Sequence, residues 1–219
     1  MVKIAIIGAS GHARVIADII FSSPECTVVG FVDNAQLPGG NIIGIPILGS
    51  DEDMRGLQAR YGFEACVIGI GDNAKRQAVH AKLHAAGVTQ FESVVHSGAY
   101  VSPSASIGVG TVVCAGACIG AGASVGSHSI INTKASVDHD SHIGSFASVA
   151  PGCTIGGGST VGDFSALGIG AVVKHGVLIG RNTVVGAGSV VLKSVSDNVV
   201  VYGAPARKIR DREFGDQYL

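Results

Sequence analysis

The chain has 219 residues and a formal net charge of −1, with hydrophobic residues at 47%, charged residues at 14% and 33 glycines. That balance argues against a disordered chain and gives no bulk electrostatic case for holding a nucleic acid. No apolar run approaches the roughly 20 residues that span a bilayer, and the opening MVKIAIIGAS lacks the layout of a cleavable signal. Five cysteines (Cys26, Cys66, Cys114, Cys118, Cys153) form no CxxC pair and leave one over, which suits reduced thiols in a cytoplasmic protein.

VKIAIIGASGHARVIADII at the start predicts a strand, a glycine turn and a helix. TVVGFVDN predicts a second strand ending at Asp33, and EACVIGIGDN a later one ending at Asp72 and Asn73; DEDMRGLQARYG and NAKRQAVHAKLHAAG read as helices. Strands alternating with helices predict a small Rossmann-like α/β domain over 1–92, a doubly wound parallel sheet with its site at the carboxyl ends of the strands. The loops carrying Ser10, Asp33 and Asn73 fall at that edge. The turn Gly8-Ala9-Ser10-Gly11-His12 is short of a full GxGxxG. It can offer free N–H groups to a phosphate at the helix start, or simply close the chain tightly. Asp33 sits where such folds hydrogen-bond a ribose or a base.

From Val95 to Val191 an aliphatic residue recurs every six positions, seventeen times without a slip. The position four further on is Ala, Ser, Thr or Cys except at Val177 and Val195, and the position directly after the aliphatic is often Gly, as at Gly108, Gly120, Gly126, Gly144 and Gly156. A period of six fits neither a helix nor a long strand. It predicts a parallel β-helix of short strands and tight corners, in which the aliphatics point inward, small residues fill the cramped interior and glycine permits unusual backbone angles. Three hexads make one triangular coil, so residues 18 apart stack. Lys134, Asp138, Asp140, Asp163, Lys174, Arg181 and Lys193 are the charges between Val95 and Val195. So few charges on a prism predict that some outer faces are covered by copies of itself, as in a trimer.

In SVDHDSHIG, His139 stands two after the inward Val137, hence outside the prism, with Gly157 stacked on it and His175 above that. Pro151, Ile169 and Ala187 form a column on another side. An outward histidine between Asp138 and Asp140 is a candidate general base, the carboxylate fixing its tautomer; the plainer reading is a solvated surface histidine. Gly157 could aim an N–H at an oxyanion or be merely a corner. His12 could touch a ligand or pack, and His142 reads as structural. His139 with His142 do not make the three convergent ligands that zinc needs, so no metal is expected. No Ser or Cys sits in a nucleophile elbow, and Cys153 falls at an inward position.

The hexad array, the closing VVGAGSVVLKSVSDNVVVYGAPARKIR and the N-terminal IIGASGHARVI with IGIGDNAKR together resemble the sugar acyltransferases of the sialic acid O-acetyltransferase type. Within that group the sequence is similar to bacterial N-acetyltransferases that acetylate a UDP- or GDP-linked 4-amino sugar. The resemblance implies a left-handed hexapeptide β-helix over 93–219 with a C-terminal tail. It also implies a homotrimer with acetyl-CoA in the groove between neighbouring β-helices and the nucleotide sugar on the N-terminal domain. It makes His139 the catalytic base and Asp140 its acidic partner. It puts Gly157, Ile169 and Ala187 beside acetyl-CoA, and Ser10, Gly11, His12, Asp33, Asn34, Gly71 and Asn73 beside the nucleotide sugar. Some relatives have a second histidine where this chain has Ser148. An O-acetyltransferase acting on a sialic acid or glycan hydroxyl, and a non-enzymatic nucleotide-sensing scaffold, are the alternatives.

Overall fold

The computed structural model describes residues 1–218. The first strands are β1 (Val2–Ile7), β2 (Cys26–Val32), β3 (Asn41–Ile42), β4 (Ile45–Gly49) and β5 (Ala65–Ile68), in the sheet order β3-β4-β2-β1-β5. β4, β2, β1 and β5 are parallel. The sheet is not parallel throughout, as expected from sequence: β3 folds back antiparallel on β4. The cause is local. Ile43 and Gly44 both take positive φ (48° and 83°), the two-residue turn that closes a hairpin on itself.

Three helices cover the sheet, α1 (Gly11–Phe21) on one face and α2 (Met54–Tyr61) with α3 (Asn73–Ala85) on the other. Alternate residues of β1 divide accordingly, Ile4 and Ile6 packing with Ile16 and Ile20 of α1, Ala5 and Ile7 with Leu57 and Leu83. Val94, Val112 and Cys114 join the α1 side, so the second half of the chain begins inside the core of the first.

From β6 (Val94–Val95) to β22 (Val190–Val191), two-residue strands recur every six residues. Each strand up to Val172–Val173 pairs in parallel with the strand 18 residues on, as in Val113↔Ile131↔Val149↔Leu167↔Val185. The result is a three-faced left-handed β-helix, its inward aliphatics from Val113 to Val191 buried, with Ala117, Ala123, Ala135, Ala147 and Cys153 between them, and those of the first coil (Val95, Val101, Ile107) partly so. The serines and threonines at the small positions reach the carbonyls of the next coil. Ser129 Oγ donates to the Gly144 carbonyl at 2.8 Å and Ser165 Oγ to Gly180 at 2.6 Å. β23 (Val199–Gly203) and β24 (Ala206–Asp211) close the far end as an antiparallel hairpin.

The glycines after the aliphatics do a different job from the one expected. Left-handed backbone falls two residues later, at Gly116, Gly122, Gly152 and Gly158 and also at His128, Lys134, Asp140 and Phe146. The expected corner glycines are needed for clearance: a β-carbon on Gly144 would meet the Asp163 nitrogen at 2.5 Å, and one on Gly120 the His139 nitrogen at 2.8 Å. Coils stack too closely there for a side chain.

Candidate active site

Strands β13 (Ser136–Val137) and β14 (His142–Ile143) flank one corner of the prism, and between them stand Asp138, His139 and Asp140. Val137 is fully buried, which turns His139 outward. Asp138 Oδ1 accepts the His139 backbone N–H at 2.8 Å. Asp140 holds the left-handed corner angle, φ 56°, and its Oδ2 lies 2.9 Å from His139 Nδ1. A carboxylate on Nδ1 keeps the ring proton there and leaves Nε2 as the basic nitrogen. The imidazole is 62% exposed. Its pKa is raised above the ordinary value by the hydrogen bond to Asp140 first and by the charge of Asp138 next. Gly157 stacks directly on the ring, and a β-carbon there would overlap Nε2 and Cε1. Glycine at 157 is therefore what gives the imidazole its place.

A cavity of about 370 Å³ opens elsewhere, against β15 (Ser148–Val149), β18 (Ala166–Leu167) and β21 (Val184–Val185) and the corner that follows them. Pro151, Ile169 and Ala187 line it as one column, as their spacing requires, and from the N-terminal domain His12 and Gly71 form the opposite wall. The prism thus carries its exposed base on one edge and this cavity on another. Within one chain the two are not brought together.

At the strand ends of the first domain, Ser10 precedes α1 in extended backbone and makes no side-chain cap; its Oγ donates instead to the Gly69 carbonyl at 2.9 Å. Gly11 is exposed at the start of α1, whose first-turn amides can meet an anion. Both oxygens of Asp33 are engaged, Oδ2 by the Ala9 N–H at 2.8 Å and Oδ1 by those of Ala35 and Gln36. That carboxylate fastens the glycine turn to β2. Asn34 Oδ1 accepts from Ser50 Oγ and the Asp51 N–H. His12 presents a buried Nε2 with no partner among the described residues, and burial, aided by the Arg76 charge, pushes its pKa down to about 4. It is a neutral, unsatisfied imidazole beside the cavity.

Asn73 differs from expectation. Its side chain turns away from the carboxyl edge of the sheet into the junction between the domains, donating to the Phe164 and Ser165 carbonyls and accepting from Arg76, Ser148 and Tyr218. Arg76 is the centre of that junction. Fully buried, it donates to the carbonyls of Ile70, Gly71, His128 and Phe146 and to Ser148 Oγ. Sequence reasoning missed Arg76 and Tyr218. One signal was present: Asn73, Arg76, His80 and Leu83 form a single stripe along α3, and a polar stripe reads as solvated until the prism is placed against it. His80, His128, Phe91 and Phe146 pack as aromatic neighbours in the same junction.

Cys66, Cys114 and Cys153 are buried with thiol pKa values pushed up to about 12, so none is a ready nucleophile. Among the described residues no group of three or more His, Cys, Asp or Glu is arranged to hold a metal ion, and no helix is long and apolar enough to cross a membrane.

Residues 3–83 match the PglD N-terminal domain family and residues 158–193 the bacterial transferase hexapeptide family. The fold is similar to perosamine N-acetyltransferase from Caulobacter crescentus, solved with CoA and GDP-perosamine, at 36% identity and a TM-score of 0.88 over 95% of this chain and 97% of that one. Two further structures of that enzyme carry a histidine replaced by asparagine or alanine. It is also similar to the acetyltransferase domain of PglB from Neisseria gonorrhoeae, solved with acetyl coenzyme A, at 31% identity and a TM-score of 0.85 over 94% and 98% of the two chains. No curated protein sequence matches the chain. With a prism of stacked hexads after an α/β domain of the PglD type, in the same order and at this similarity, the chain belongs to the hexapeptide-repeat sugar acetyltransferases that carry a PglD-type N-terminal domain.

Proposed function

We propose that this chain is an acetyl-CoA-dependent N-acetyltransferase that acetylates the 4-amino group of a GDP- or UDP-linked amino sugar. It works as a homotrimer in which His139 of one copy meets the cavity of its neighbour. The observation that carries the reading is the exposed His139–Asp140 pair, with Nε2 free and Gly157 against the ring, on a different edge of the prism from the cavity. Relatives with the same two domains bind CoA with GDP-perosamine, or acetyl coenzyme A. The cavity suits the coenzyme: small Ala150, Gly168 and Gly186 with the column Pro151, Ile169 and Ala187 leave a slim apolar track for a pantetheine arm. The amides at Gly11 and the neutral His12 suit the nucleotide sugar.

In the mechanism, the amine nitrogen attacks the thioester carbonyl carbon and His139 Nε2 takes the proton that nitrogen loses. Asp140 stabilises the imidazolium through Nδ1–H. The carbonyl oxygen becomes a transient oxyanion beside the Gly157 backbone, the C–S bond breaks, and CoA leaves as thiol once it is protonated. Holding both substrates at one boundary supplies much of the acceleration, and general-base help contributes about 10²–10⁴-fold.

Thiol release from acetyl-CoA, measured with GDP-perosamine and a panel of UDP-linked 4-amino sugars, tests this. One amino sugar should be turned over, and His139→Ala should lower its kcat by about 10²–10⁴-fold with the melting temperature unchanged. Turnover of hydroxyl acceptors alone would give the O-acetyltransferase reading instead. Full activity in His139→Ala would remove the histidine from the chemistry.

A further inference from the structure

The end of the chain forms a strap that no step above uses. After β24, Arg212 is buried and donates to the carbonyls of Asn182 and Asp216 and to the Asn182 side chain. Phe214 sets its ring edge-on to Phe164 at 5.1 Å, and Arg210 pairs with Asp216 at 2.9 Å. The strap therefore runs from the last coils towards the N-terminal domain and is fastened along the way. At its tip Tyr218 lies under the Arg212 guanidinium, 5.3 Å from ring centre to charge. Its phenol donates to Asn73 Oδ1 at 2.6 Å and accepts the Asn73 backbone N–H at 3.3 Å. The same ring forms part of the cavity wall between Gly71 and the prism.

We propose that Tyr218 is a positioning residue for the nucleotide-linked substrate: from the strap, its phenol fixes the Gly71–Asn73 loop and its ring walls the cavity beside it. The inference rests on the proposed function in naming the substrate but not in the loop it fixes. Two features separate this role from simple stapling of the domains. Arg76 already ties α3 to the prism through several carbonyls without help from the strap. The phenol instead bonds at the first residue of α3, next to the loop whose Gly71 faces the cavity. An aromatic ring with one hydroxyl gives that wall a fixed shape with few rotatable bonds.

Tyr218→Phe keeps the wall and loses the bond; Tyr218→Ala loses both. Each is compared with the full-length chain by steady-state kinetics and by hydrogen exchange of residues 70–76. The expected result is a severalfold higher KM for the amino sugar in Tyr218→Phe, with kcat and the acetyl-CoA KM within about twofold, and a rise of about tenfold in Tyr218→Ala, which also opens a wall of the coenzyme cavity. Exchange at Asn73, whose N–H loses its phenol acceptor in both variants, should quicken about tenfold in each. Unchanged sugar KM with unchanged exchange overturns the proposal. So does a parallel rise of both KM values in Tyr218→Phe with a lowered melting temperature, because that is stapling alone. If the wild-type chain acetylates no nucleotide amino sugar, the proposed function fails, and the exchange at Asn73 by itself decides whether Tyr218 holds the loop.

Discussion

At the corner of one coil, three consecutive side chains together set up the proposed base. Asp138 caps the turn, Asp140 takes a left-handed angle that an aspartate tolerates better than most residues, and His139 is left with one committed and one free nitrogen. Because the bond to Asp140 raises the histidine pKa, the proposed base is protonated and idle on the acid side of a value above 6.5. The rate should rise with pH through that value and then level. Asp140→Asn removes the main cause of the shift, so the limb of the kcat/KM profile should move to lower pH while kcat falls about tenfold or more. A limb that stays in place would assign the pH dependence to another group.

Among the elements, the coil repeats a division of labour that its glycines make visible. The glycine after the inward aliphatic clears the backbone of the next coil, and the one two residues later supplies a left-handed corner, with open space around it at Gly152, Gly158, Gly170, Gly176 and Gly188. The two kinds should respond differently to one methyl group. Gly152→Ala meets no atom within 4 Å and should cost about 1 kcal/mol for its positive φ. Gly144→Ala, facing the Asp163 nitrogen, forces adjacent coils apart and should cost about 3 kcal/mol. Urea unfolding of the two variants measures the difference. Equal midpoints would mean that the stack yields freely. Sequence alone could count these glycines but misassigned the first kind, because a clash between coils appears only when residues 18 apart are superposed.

The junction between α3 and the prism shows the same limit. His128 occupies a left-handed corner under α3, stacked on Phe146 and close to His80, with Nδ1 unpaired among the described residues. Burial, then the charges of His80 and Arg76, push its pKa down to about 4. The folded form thus holds the ring neutral while an unfolded chain protonates it below 6.5. The stability attached to that ring is fully present above pH 6.5 and is lost as the pH falls towards 4. By pH 5 the loss should reach about 2 kcal/mol. Phe146 and Phe164 hold the same corner angle in the next two coils, so His128→Phe fits the backbone. It should flatten the dependence of unfolding free energy on pH between 7.5 and 5. An unaltered slope would place the acid sensitivity elsewhere, with His12 the next candidate.

For the whole molecule, the separation of His139 from the cavity is the decisive geometry. If each site is shared, as proposed, a copy lacking the base and a copy with a blocked cavity can complement one another. His139→Ala and Ala187→Trp should each be nearly inactive alone. Co-expressed in equal amounts, they should regain about a quarter of wild-type activity, the share of boundaries in a cyclic trimer where both intact halves meet. Continued inactivity of the mixture, with mixed trimers verified by native mass spectrometry, would confine the site to one chain. Exposed Tyr100, Val172 and Leu178 on an almost uncharged prism are the apolar surface that association would cover.

Periodicity determined the prism by itself, because an inward aliphatic every six residues can be buried in few other ways; it also set the columns, putting Gly157 on His139 and Ile169 beside Ala187. The alternation of strands and helices determined the first domain, apart from the β3 hairpin. Only the tertiary structure decided how the halves meet: Asn73 and Arg76, polar residues of a short helix, became the buried joint, and Tyr218 came back from the end of the chain to reach it. Local pattern records which side of an element is apolar, but a polar group is buried wherever another segment offers it partners, and those partners here lie 52 to 145 residues away.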